Sequence, residues 1–196
     1  MTRVLAFSDL HLDDLAATEI CSAAAQADLV IGAGDFCNMR EGLDEAMEML
    51  GPVADKAVYV PGNAESAAEL RAATRATVLH GEPAERAGLR LFGLGYAVPA
   101  TPFGSWSCDL SEAQAEAMLA PMEAVDILIS HSPPAGVADE SASGASNGSA
   151  AVRAAVERAQ PKLCFCGHIH ASWGRTGLIG ATLVHNLGPS VNWFEV

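Results

Sequence analysis

Short apolar runs alternate along the chain with stretches of helical spacing. Val4 to Phe7 is followed by an Ala-rich helical segment from about Asp14 to Ala27, then by Leu29-Val30-Ile31, which stops at Gly32-Ala33-Gly34. Residues 41–50 set Leu43, Met47 and Leu50 at helical spacing, and Ala57 to Val60 is a third apolar run ended by Pro61-Gly62. Ala64 to Ala73 is rich in helix formers. This βαβαβα opening predicts a largely parallel sheet with helical crossovers.

The second half begins with a strand over Leu89 to Leu94. Gly95 to Cys108 then reads as a loop carrying two Pro, two Gly and three aromatics. Ser111 is the expected N-cap of a helix to about Leu119. Val125 to Ile129 reads as a buried strand leading into His131-Ser132-Pro133-Pro134. Residues 136–149 are small and polar, the composition of a mobile loop. Ser149 caps a helix to Ala159, with Pro161 beyond its end. Lys162 to Cys166, Thr182 to His185 and Val191 to Val196 complete the predicted strands. No repeat or linker interrupts the pattern, so residues 1–196 are expected to form one domain.

Composition narrows the class. Half the residues are hydrophobic and 18% are charged, the profile of a compact chain with well-buried sheets. No apolar run reaches the ~20 residues that span a bilayer, and no cleavable leader pattern precedes Val4, so the cytoplasm is the expected location. The five cysteines are irregularly spaced, which argues against a disulfide framework. Cys164 and Cys166 flank Phe165 on one face of a strand and read as small buried hydrophobes. A net charge of −13 without a basic stripe argues against a nucleic-acid polymer as partner. An anionic substrate would have to be drawn in by local positive charge, which bound metal ions supply.

Five short motifs carry the chemistry: Asp9-x-His11 in SDLHL, Asp35 in GAGDF, Asn63 in PGNAE, His131 in SHSPP, and His168-x-His170 in CGHIH. Each follows an apolar run, so the side chains should gather at the carboxyl ends of the strands, where open α/β sheets place their sites. In an extended segment residues two apart point the same way, so Asp9 with His11, and His168 with His170, can converge. Imidazole mixed with carboxylate and amide oxygens suits Mn, Fe, Zn, Co or Ni. Seven ligands are too many for one tetrahedral ion and suit two divalent ions sharing a central Asp. His80 and His185 fit no motif and read as structural.

With these motifs the chain resembles the calcineurin-like metallophosphoesterases, whose pattern runs D-x-H, G-D, G-N-H-D/E, H and G-H-x-H. Leu94 to Gly104, and Gly148 through Gly188-Pro189, resemble a small predicted-phosphoesterase branch near the class III cyclic-nucleotide phosphodiesterases. The resemblance implies an α/β fold, a four-layer α/β/β/α sandwich of two mixed β-sheets flanked by helices. It also implies that Asp9, His11, Asp35 and His170 hold one ion and that Asp35, Asn63, His131 and His168 hold the other. A metal-bridging hydroxide held by Asp35 would then attack phosphorus in line.

One position departs from the family. Its usual general-acid His is Ala64 here, in Gly62-Asn63-Ala64-Glu65. Alanine has no proton to give, and acid assistance is typically worth around 10²- to 10⁴-fold. Diesters and good leaving groups suffer least, so the expected substrate is a small phosphodiester, with a cyclic nucleotide as one candidate. Glu65 reads as a helix N-terminal acid. Asn63, Phe103 and Trp106 are the candidate substrate contacts, Trp106 and Phe103 as a wall or a stacking surface, and the 136–149 loop is either a lid or a plain loop. Two rival expectations are a phosphomonoesterase or pyrophosphatase, and a non-catalytic metal-binding interaction scaffold. The sequence leaves the oligomeric state open.

Overall fold

The computed structural model describes residues 1–196. In chain order, its first half runs β1 (Arg3–Phe7), α1 (Asp14–Ala23), β2 (Leu29–Gly32), α2 (Leu43–Met49), β3 (Ala57–Tyr59), α3 (Ala67–Ala73), β4 (Thr77–Val78) and β5 (Glu82–Arg86). The second runs β6 (Leu89–Leu94), α4 (Glu112–Leu119), β7 (Ile127–Ser130), α5 (Ala150–Ala159), β8 (Leu163–Cys166), β9 (Thr176–Ile179), β10 (Thr182–Asn186) and β11 (Asn192–Glu195). One sheet has the order β11-β1-β2-β3-β4, the other β5-β6-β7-β8-β10-β9. Both are mixed: β1 to β4, and β6 to β8 with β10, pair in parallel, while β11, β5 and β9 close edges antiparallel.

Strand alternation divides the apolar residues into three layers of core. Leu5, Phe7, Val30 and Tyr59 face Ile20, Met47 and Leu70 of the first three helices. Val4, Ala6, Ile31, Val58, Leu91, Ile129 and Phe165 meet between the two sheets. Phe92, Leu128, Cys164, Cys166 and Val184 pack against Ala115, Leu119, Val152 and Val156 of α4 and α5. The strands therefore read as unbroken apolar runs because both faces are covered. Cys164 and Cys166 are buried on the helical side, and all five cysteines are free.

Ser111 and Ser149 cap α4 and α5 as expected, each accepting a backbone N–H three residues on. The start of α3 differs from the sequence reading. It begins at Ala67 under a Ser66/Glu69 capping box, leaving Ala64 and Glu65 in the preceding turn. The three unpredicted strands, β4, β5 and β9, are short or edge elements without a continuous apolar run. No helix is long and apolar enough to cross a membrane.

Candidate metal centre

The turns after β1, β2, β3, β7 and β8 all open at one end of the two sheets, and they deliver the seven motif residues to one place. Asp9, His11 and His170 form one set of potential ligand atoms within 4.8 Å of one another, and Asp35, His131 and His168 form a second. Asp35 lies between them. Its Oδ2 is 3.6 Å from His11 Nε2 and its Oδ1 is 3.5 Å from His131 Nε2. Asn63 Oδ1 joins the second set 3.2 Å from His131 Nε2.

The way these residues converge differs from simple strand alternation. Asp9, His11, Asp35 and His168 all have positive φ, between 46° and 66°, a backbone region costly for non-glycine residues and found where surrounding structure enforces it. His168 and His170 consequently part company: they share a motif but enter opposite sets. Neighbouring glycines make the approach possible. A Cβ on Gly62 would lie 2.0 Å from Asp35 Oδ1, and one on Gly167 would lie 2.3 Å from Asp9 Oδ2.

Second-layer hydrogen bonds suit the set to metal. His131 Nδ1 donates to the Ala33 carbonyl at 2.8 Å, and His11 Nδ1 faces the Cys37 carbonyl and Asn38 Oδ1 at 3.1 and 2.9 Å. Both tautomers are thus set with the Nε2 lone pair directed at the centre, the usual arrangement of metal-bound histidine. His11 Nε2 and His170 Nε2 lie 3.3 Å apart. Bonds of ~2.0–2.1 Å to one tetrahedral ion would separate such nitrogens by roughly that distance. The donor set fits two divalent ions.

The electrostatics point the same way. Burial would raise Asp35, yet His131, His11 and His168 hold its carboxyl well below the usual range. Burial would lower His131, but Asp35 and Asp9 push it up to about 9, so a proton competes with a cation for the Nε2 lone pair. Asp9 is itself raised by burial, with Asp35 adding to the effect. His168 is pushed down to about 3 by burial and by His131. Two buried carboxylates thus draw positive charge into the site.

Four contributors were not read from the sequence. Ser8 Oγ donates to Asp9 Oδ2 at 2.5 Å, and Trp173 Nε1 donates to the same oxygen at 3.1 Å while its ring stacks on His170 at 4.3 Å. Ser107 holds the Asn63 amide. Glu65 is no helix-terminal acid. Fully buried behind Asp35, it accepts the N–H groups of Gly62, Asp35 and Phe36 at 2.6, 2.9 and 3.2 Å. Ser66 and Glu69 do the capping instead. The only sequence signal for this was Ser66-x-x-Glu69, a capping box that displaces the helix start past Glu65.

His11, Asp35, Asn63, His168 and His170 line a cleft of about 660 Å³, while Asp9 and His131 are buried. Thr101, Phe103 and Trp106 wall one side and Ser146 to Gly148 the other. Phe103 and Trp106 are stacked at 5.7 Å with planes 4° apart. The second wall is organised by buried Asp139, which accepts from the Gly136 and Gly148 amides and from Ser146. That stitching makes the 136–149 segment a shaped turn. Ala64 is buried, and its N–H donates to Asp35 Oδ1 at 2.8 Å. His80 and His185 lie outside the centre; His80 Nδ1 accepts the Gly95 N–H and the ring packs on Tyr96.

Comparison with known proteins agrees with this fold. No curated protein matches the sequence. The fold is similar to that of TT1561 of Thermus thermophilus, with 16% identity, TM-score 0.74 and 98% of each chain covered. It is also similar to a dimetal phosphatase from Danio rerio (12% identity, TM-score 0.65, 96% of this chain and 88% of that one). A third similar structure is the phosphopantetheinyl hydrolase of Mycobacterium tuberculosis (13% identity, TM-score 0.58, 95% and 89%). At these identities the structural likeness establishes the architecture alone. A family model, however, that of the calcineurin-like phosphoesterase superfamily domain, matches residues 2–193. With nearly the whole sequence inside that match, the chain belongs to the calcineurin-like phosphoesterase superfamily.

Proposed function

We propose that the chain hydrolyses a small phosphodiester, with two divalent transition-metal ions (Mn, Fe, Zn, Co or Ni) held by the residues of the two sets. Asp9, His11, Asp35 and His170 would hold one ion, and Asp35, Asn63, His131 and His168 the other. When bound, such ions supply Lewis acidity to a phosphoryl group and lower the pKa of water to about 7.

The observation that carries the reading is the chemistry of the cleft lining. No Lys or Arg is present there, and its only titratable residues, His11, Asp35, His168 and His170, all belong to the two sets. Nothing titratable is left over to protonate a leaving group, and Ala64 offers nothing in place of the family's His. A phosphodiester carries one negative charge and needs less positive charge from the protein than a dianionic monoester. Strained or aryl diesters also leave without a strong acid, which favours them where general acid help of ~10²- to 10⁴-fold is missing. The Phe103/Trp106 surface fits a flat apolar or aromatic group on the ester.

The test is hydrolysis of matched aryl phosphodiester and phosphomonoester substrates after chelation and readdition of Mn²⁺. The diester is expected to be cleaved at least tenfold faster, in a metal-dependent reaction lost in Asp35→Ala. Preference for the monoester would overturn the substrate assignment. With the diester, Trp106→Ala should raise KM more than it lowers kcat; unchanged kinetics would remove the stacking role.

A further inference from the structure

Resting on the metal reading above, we propose that Ser107 and Asp109 are positioning residues which decide whether Asn63 is a ligand at all. The two ends of an amide side chain have the same shape, so only its hydrogen-bond partners determine which end faces the centre. Three donors converge on the Asp109 carboxylate: Thr101 N at 3.0 Å and Thr101 Oγ1 at 3.0 Å to Oδ2, and Ser107 Oγ at 2.7 Å to Oδ1.

A carboxylate can only accept, and Asp109 Oδ1 at 2.7 Å takes the single proton of Ser107 in preference to the Thr101 hydroxyl at 3.1 Å, which can itself donate. Ser107 Oγ then has only lone pairs for its contact with Asn63 at 3.1 Å, and Asn63 must present Nδ2–H to it. The other end, Oδ1, is thereby turned toward His131 Nε2 and the second set. Reversed, the amide would aim a nitrogen that bears two hydrogens at the ion. An amide oxygen coordinates a divalent metal; that nitrogen does not. The orientation is thus dictated two side chains away.

Backbone contacts hold the arrangement in place. Cys108 N donates to the Asn63 carbonyl at 2.9 Å, and Tyr96 N to the Pro61 carbonyl at 3.0 Å, docking the whole 96–109 segment on the Asn63 turn. Phe103 and Trp106 lie between Thr101 and Ser107. The aromatic wall and the orientation of a ligand therefore depend on one set of hydrogen bonds.

Asp109→Asn separates this role from mere packing, because it keeps the shape of the side chain. The amide so introduced would reserve its oxygen for the fixed Thr101 N–H and turn its hydrogens to Ser107. Ser107 is then free to donate to Asn63, which reverses. Mn²⁺ titration calorimetry of the chelator-stripped protein should show two binding steps in the parent. One should weaken 10- to 100-fold in Asp109→Asn and in Ser107→Ala, as typical for lost outer-layer partners, with the other changed less than about threefold. Ser107→Thr, which keeps the hydroxyl, should retain both.

The decisive control is a cycle with Asn63→Ala. In that background Asp109→Asn should cost less than twofold, since there is no amide left to turn. Parental binding in Asp109→Asn, or an equal loss with and without Asn63, overturns the positioning role while leaving the metal reading intact. Fewer than two ions on the parent overturns both. Should Ser107→Ala not fold, Asp109→Asn decides the matter alone.

Discussion

Replacing Gly62 by Ala tests how closely the backbone is fitted around Asp35. The added Cβ would sit 2.0 Å from Asp35 Oδ1 and 2.2 Å from Asp35 N. Ordinary contact begins near 3.4 Å, so both atoms must retreat by about 1.2–1.4 Å. Rotation of the Asp35 side chain relieves only the first clash. The second requires movement of the backbone N–H, which donates to Glu65 Oε1 at 2.9 Å, and the Gly62 N–H donates to the same oxygen at 2.6 Å. Overpacking of this kind costs about 1–3 kcal/mol, and losing a hydrogen bond to a charged acceptor about 1.5–3. The expected destabilisation is therefore about 2.5–6 kcal/mol, a large share of the ~5–15 that holds a domain of this kind. At ~2–4 °C per kcal/mol, Tm should fall by about 5–25 °C. Gly51→Ala is the control, since nothing lies within 4 Å of its Cβ; it should stay within about 0.5 kcal/mol. Urea denaturation and thermal melts of the metal-stripped proteins measure both. A Gly62→Ala protein as stable as the Gly51→Ala control would refute the packing argument.

Further outcomes follow from the surroundings of the site. Trp173→Phe keeps an aromatic ring beside His170 but removes the donor to Asp9 Oδ2. Mn²⁺ affinity should fall about 10- to 100-fold at one step only, and equal affinity at both steps would show the indole N–H to be idle. His80 is pushed down to about 4 by burial, with Arg71 contributing, and its Nδ1 accepts the Gly95 N–H. Because this folded-state pKa lies below the usual ~6.5, its contribution is complete above pH 6.5 and is lost as pH falls toward 4. For a half-buried ring that loss should be about 1–2 kcal/mol. His80→Asn, whose oxygen can accept the same bond, should flatten that part of the acid limb in denaturant titrations; an identical limb would assign the loss to other groups.

That the seven motif residues gather at one place was legible because each stands at the end of an apolar run, beside glycine or a turn. Asp35 after Leu29-Val30-Ile31 and His131 after Ile127-Leu128-Ile129 are placed by the strands themselves. The caps at Ser111 and Ser149 and the burial of Cys164 and Cys166 were legible for the same local reasons. The spacing argument for His168 and His170 was incomplete, because the positive φ of His168 turns the two rings into different sets. Glu65 was misplaced by propensity: a carboxylate near a helix start looks like an N-terminal acid until Ser66 and Glu69 are recognised as the cap. Trp173, 164 positions from Asp9, and Ser107, 44 from Asn63, act through contacts that only the closed sheets create. No local pattern announces them.

The central claim is that Asp35 is shared between two ions. It is tested most directly by Mn²⁺ titration of the chelator-stripped parent beside Asp35→Ala, Asn63→Ala and His170→Ala. The parent should bind two ions, Asn63→Ala should weaken one step, His170→Ala the other, and Asp35→Ala both. An Asp35→Ala protein that keeps one step at parental affinity would contradict the shared carboxylate and the dinuclear centre built on it.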